Sequence, residues 1–221
     1  MLFLQCFQDR LNFLIMVLEC VKNIHFATNP RIAIYCAWRQ CVKMNINLFY
    51  VILLGGIPVL CSYYVLSQQS EAKQLWGGLS GWVFNAWLAS MLLTVASYFY
   101  LAYMFVWGID DAYVFEWSAS EIEPWLCSLY VVFLGSASQF AYFSLMDIKN
   151  KKKSLYLLIN LWTTAFASLL IAASAIAING VSDVHNSLSI IAGFVLAFHH
   201  IFFDAIYWMT TFEPKYTQIS N

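Results

Sequence analysis

Apolar residues run through this chain in long unbroken blocks, and polar residues collect in the short gaps between them. A helix needs about 20 mainly apolar residues to cross a bilayer. Five blocks meet that length, over about 47–66, 79–107, 124–146, 155–178 and 187–212. They are too long and too continuous for barrel strands, which would alternate in polarity over about 10 residues. Helices are then the remaining way to satisfy the backbone in lipid. The expected fold is all-α, a polytopic bundle of five transmembrane helices within 44–213, followed by a short tail over 214–221.

Local signals set the expected helix ends. Ser120-Glu121-Ile122-Glu123 reads as a capping box running into Pro124. Asn179-Gly180 reads as the close of the fourth helix, and Asn186 or Ser187 as the cap of the fifth. Pro58 falls inside the first span, where membranes tolerate it and it usually kinks the helix.

Composition strengthens this reading. Hydrophobic residues make up 62% of the chain and charged residues 10%. Soluble domains carry roughly 25% charged residues, so a soluble globule is excluded, and disorder with it. The formal net charge of −1 offers no basic field for nucleic acid.

Charge placement orients the bundle. Lys73, Lys149, Lys151, Lys152, Lys153 and Lys215 all fall in segments on one side, and the loops 108–123 and 179–186 hold no Lys or Arg. The positive-inside rule makes the lysine side and the C-terminus cytoplasmic. Trp107, Trp117 and Trp125 would mark the opposite interface, and Trp76, Trp82 and Trp208 the lysine-side one. The outer loop holds Asp110, Asp111, Glu116, Glu121 and Glu123 and reads as a solvated acidic loop, with His185 exposed nearby. It lacks the spaced oxygen ligands of a calcium loop.

The segment 1–43 conflicts with that topology. It carries Arg10, Lys22, Arg31, Arg39 and Lys43 on the side expected to be outside, and no apolar run long enough to span. It reads as an interfacial amphipathic helix, as a re-entrant segment, or as sequence preceding a true start at Met44.

Polar groups inside a bilayer are costly, so each raises a functional question. At 1.5 Å per residue, Asn85, Gln139, Asn160 and Asp204 all fall roughly 8–12 Å from the lysine-side boundary, with Ser62 at a similar level. His200 lies deeper. The expectation is one polar layer, or a cavity open to the lysine side. His200 and Asp204 are four apart, so regular helical spacing brings imidazole and carboxylate together. His199 would then point about 100° away.

The candidate ligand-binding residues are therefore His200, Asp204, Asn160, Gln139, Asn85 and His199. The implied partners are the lipid bilayer, a small hydrophobic ligand or a second membrane protein. The plain alternative is that these groups only glue helices together, as polar side chains in membranes do at about 0.6–2 kcal/mol each. Ala86/Ser90, Ala137/Ala141, Ser168/Ala172 and Ala173/Ala177 are small-residue pairs that fit simple close packing.

Several functions fail on residue supply. No span holds a Lys for retinal, and every spanning His lies on one helix, which leaves bis-histidine haem unsupported. No Arg row or channel filter is present. No cofactor or catalytic residue is expected. Gly78-Leu79-Ser80-Gly81 resembles the GxSG of rhomboid intramembrane proteases, with His199 later in the chain. That pair would sit roughly 25 Å apart along the membrane normal, beyond any Ser–His dyad. The leading class is a small-molecule or lipid-binding protein, or a carrier. The alternatives are a non-catalytic structural or assembly subunit and, second, a metal-dependent intramembrane hydrolase.

Overall fold

The computed structural model describes residues 45–69, 75, 81–108, 113–114, 117–179 and 181–212. The segment 1–43 and Met44 lie outside the described residues, as do Ser80 and the tail beyond Phe212. Among the described residues, five helices are long and apolar enough to cross a membrane. They are α1 (Ile46–Ser67), α2 (Gly81–Tyr103, continued by a π-helical turn Met104–Gly108), α3 (Ala119–Asn150), α4 (Leu155–Ile176) and α5 (Asp183–Phe198). A π-helical segment His199–Trp208 and a last turn Met209–Thr211 continue α5 without a break. The all-α five-helix bundle read from the pattern is the fold observed.

Side by side, α3 packs between α1 and α4, α4 between α3 and α5, and α5 between α4 and α2. Half of the most apolar window of α4 is buried, against 6% for α1. Small residues explain α4's place at the centre. Ser168, Ala172 and Ala175 are buried on it, and a side chain at Gly193 of α5 would meet the Ala172 backbone at 3.1 Å. The two helices touch there because neither carries bulk. Helix α1 meets α2 where Asn45 donates from its backbone to Val106 O at 3.1 Å and from Nδ2 to Phe105 O at 2.9 Å. The π turn of α2 supplies those carbonyls.

Both ends of the bundle are built from the loops. At the acidic-loop end, β1 (Tyr113–Val114) pairs antiparallel with β2 (Ile178–Asn179). At the lysine end, α3 closes with Lys151 in the left-handed region at φ 54°. Lys151 N and Lys152 N donate to Ile148 O and Asp147 O, the two bonds of a Schellman close. Asp147 Oδ2 accepts the Ser154 N–H at 2.8 Å, and Ser154 caps α4. Lys153 Nζ reaches Met209 O at 2.9 Å and ties the end of α5 to the same turn.

Three expected helix ends move. The box forms at Ser118, with Glu121 Oε2 accepting the Ser118 N–H at 2.8 Å, so α3 starts before Ser120. The same serine-x-x-glutamate spacing occurs two residues apart, and the earlier one caps. Helix α4 ends at Ile176, because Ile178 and Asn179 are taken into the β pair. Ser182 caps α5, four residues before Asn186. His185 therefore lies in the first turn of α5, where its Nδ1 meets the Tyr100 hydroxyl at 3.2 Å. Trp208 is no interface anchor. It is buried, and its indole N–H donates to Leu75 O at 3.2 Å.

Candidate functional site

The decisive local feature is the π segment of α5. A π-helix bonds residue i to i+5, whereas an α-helix bonds i to i+4. Residues five apart therefore come to one face. The acid meets the other histidine: His199 Nε2 lies 3.6 Å from Asp204 Oδ1. His200, which regular helical spacing pairs with Asp204, turns back instead and donates from Nδ1 to Leu196 O at 2.8 Å. Its ring stands edge-on to Phe133 at 5.1 Å. In a neutral ring, that bond leaves Nε2 as an acceptor.

Helix α2 completes the cluster with Trp87, which the pattern did not single out, and Ser90, which it read only as a packing residue. Trp87 Nε1 donates to Asp204 Oδ1 at 3.4 Å, and its ring lies 5.9 Å from that of His199. Ser90 Oγ meets His199 Nδ1 at 3.0 Å. Trp87 and Ser90 are three apart, so one face of α2 supplies both. On α1, Tyr63 is half-exposed. Tyr63 packs on Phe140, and Phe140 on Trp208, with ring centroids 6.4 and 5.3 Å apart.

Both partners of the carboxylate use the same oxygen. Asp204 Oδ2 has no partner among the described residues, and the side chain keeps 23% of its surface accessible while His199 keeps 4%. The carboxyl is held by side chains from α2 and α5 and remains partly accessible.

The expected single polar layer divides. Asn160 belongs to a second cluster, buried between α3 and α4. Its Nδ2 donates to Ser136 O at 2.9 Å, and Thr164 Oγ1 donates to Ser136 Oγ at 2.8 Å. Asn160 Oδ1 is buried without a donor among the described residues. Asn85 and Gln139 join neither cluster, because both are exposed on the outer surface of the bundle. Each lies two residues, or about 200° of helix, from a buried neighbour, Trp87 and Ala141 respectively. Ser62 bonds its own helix at Val59 O.

A groove of about 420 Å³ lies elsewhere, between α1 and α3, bounded by Leu54, Gly55, Pro58, Leu134, Gly135 and Ser138 among others. It contains none of the candidate residues and no charge. Among the described residues, no group of three or more His, Cys, Asp and Glu comes together. The hydrolase reading therefore has no ligand set to stand on there. The chain matches no protein-family model, no curated protein and no solved structure.

Proposed function

We propose that this multi-pass membrane protein binds, or carries, a small hydrophobic ligand in a cleft opening at the partly accessible side chain of Asp204, in the lysine-end half of the bundle. His199 and Trp87 hold the carboxyl, and Ser90 anchors the far nitrogen of His199. Asn160 is reassigned to helix packing, and Asn85 and Gln139 to the lipid-facing surface. By the positive-inside rule the lysine end and the tail are cytoplasmic, so the cleft belongs to the cytoplasmic half.

One observation carries the reading. A carboxylate within a membrane span has one oxygen engaged, the other without a partner among the described residues, and 23% of its surface still open. An unpaired oxygen alone does not mark a site, since the buried Asn160 Oδ1 also lacks a donor among the described residues; what sets Asp204 apart is that its side chain stays accessible while Asn160 is 6% exposed. The second reading, a structural or assembly subunit, draws on the Asn160 cluster and on the largely unburied α1.

The test is photolabelling of the full-length protein in a maltoside detergent with a diazirine-bearing long-chain alcohol. Adducts on Tyr63 and Trp87, reduced by Asp204→Asn, support the cleft. Adducts confined to lipid-facing residues such as Leu92 and Phe99, unchanged by the substitution, overturn it. Sidedness has its own check. An impermeant amine reagent should modify the lysines at 149–153 only after the membrane is opened, and modification in intact cells would reverse the orientation.

A further inference from the structure

Asp204 keeps part of its surface open, and the packing around it decides from which side it is reached. We infer that the ligand enters from the bilayer, through a seam between α1 and α2, and is a lipid-dissolved amphiphile with an uncharged hydroxyl head. This rests on the cleft reading and names the route and the class of that ligand.

The lysine end is shut below the acid. Trp208 lies about one turn from Asp204 toward that end and is buried. Its indole N–H donates to Leu75 O. Its ring is stacked on Phe212 at 4.2 Å and stands edge-on to Phe140 at 5.3 Å. Leu75, Leu66 and Ile148 are buried in the same apolar cluster. Water arriving along the bundle axis meets packed side chains there.

The flank of the bundle is different. Helix α1 packs on α3, and it reaches α2 through the π turn at the acidic-loop end. Steps of seven residues return to nearly the same side of a helix, so the face of α1 toward α2 can be followed. Phe49 meets Trp107, with ring centroids 5.9 Å apart. Gly56 comes next, and a side chain there would meet nothing within 4 Å. Tyr63 follows and is half-exposed. Over the same stretch α2 turns to α5, with Trp87 on Asp204 and Ser90 on His199. The two helices meet at one end and part toward the other, in the half where Asp204 stays accessible.

Both walls of the seam belong to spans, so it opens onto acyl chains. A water-borne solute would have to cross lipid to use it, and an amphiphile is already there. A charged head is costly at that depth. A hydroxyl donates to a carboxylate and accepts from a carboxylic acid, so it pairs with Asp204 in either proton state.

The experiment compares two carbodiimides on the full chain in phosphatidylcholine vesicles, with the Asp204 adduct read by peptide mass. Dicyclohexylcarbodiimide partitions into lipid, and its cationic analogue, ethyl-dimethylaminopropyl carbodiimide, stays in water. The expected result is an adduct from the first and none from the second, with loss of the adduct when dodecanol is added but not dodecane. Gly56→Phe, placed where a side chain has room, should fill the seam and abolish the adduct at unchanged thermal unfolding. Gly135→Phe, in the separate groove between α1 and α3 where a side chain is equally free, should leave it intact. An adduct from the aqueous reagent, or one that survives Gly56→Phe, overturns the seam and leaves the cleft standing. Equal effects of dodecanol and dodecane overturn the hydroxyl head. Absence of an adduct from either reagent overturns the route, and the cleft with it where photolabelling of Trp87 also fails.

Discussion

Two polar clusters sit inside this bundle, and they differ in one respect. The cluster of Asn160, Ser136 and Thr164 is shut. Its three residues are 6%, 7% and 6% exposed, and its bonds join α3 to α4 directly. The cluster of Asp204, His199, Trp87 and Ser90 is open at its acid, with 23% of that side chain accessible. Both are made of residues costly to place in lipid. The first returns that cost as helix–helix attachment. The second keeps its acid partly accessible, which attachment does not require. Closure, more than polarity, separates glue from a site.

The backbone underlies that difference. Helices α3 and α4 are regular where they meet, and small residues let them close on each other. The π segment of α5 shifts the register, brings His199 under Asp204 and turns His200 aside. Such segments are uncommon and recur at functional sites. Here the lipid face of α5 stays continuous through the change, with Phe194, Phe198 and Phe202 stacked at 5.8 and 5.2 Å.

The comparison can be broken most severely at Gly193. Gly193→Leu forces a side chain into the Ala172 backbone, where even a Cβ would sit at 3.1 Å. Overpacking of this kind costs about 1–3 kcal/mol, and the upper end applies where the obstacle is backbone. Both clusters should be lost together, seen as a broad or aggregated profile in size-exclusion chromatography. A sharp monodisperse profile with wild-type unfolding would show that the α4–α5 contact is loose.

Asn160→Ala should cost about 1–2 kcal/mol, through the lost bond to Ser136 O and the space it leaves. Thermal unfolding in detergent should fall, and photolabelling of Tyr63 and Trp87 should persist. Loss of labelling at constant stability would move Asn160 into the site. Ser90→Ala removes one bond to His199, worth about 0.6 kcal/mol on average in membranes. Its stability effect should be slight, and its labelling reduced but present, because the ring of His199 loses one of its two anchors.

Some of this was legible in the residues and some was not. Span number follows from block length, because lipid thickness leaves little freedom. Angular position was not legible. Rise per residue predicted one level for Asn85, Gln139 and Asp204, but Asn85 and Gln139 are exposed on their helices, and only packing decides which face turns inward. The pairing of Asp204 followed regular helical spacing to His200 and missed His199, because nothing in HHIFFDAIYW announces the π register. Trp87 and Ser90 carried a weak signal at best: they are a three-apart polar and aromatic pair in a span otherwise free of charge.

Asp204→Asn tests the account most directly, with thermal unfolding and cleft labelling read on the same sample. The account predicts unfolding within about 0.5 kcal/mol of wild type, as expected where no packing is removed, together with loss of label at Tyr63 and Trp87. A marked drop in stability with labelling intact would contradict it, and would place Asp204 beside Asn160 as one more bond between helices.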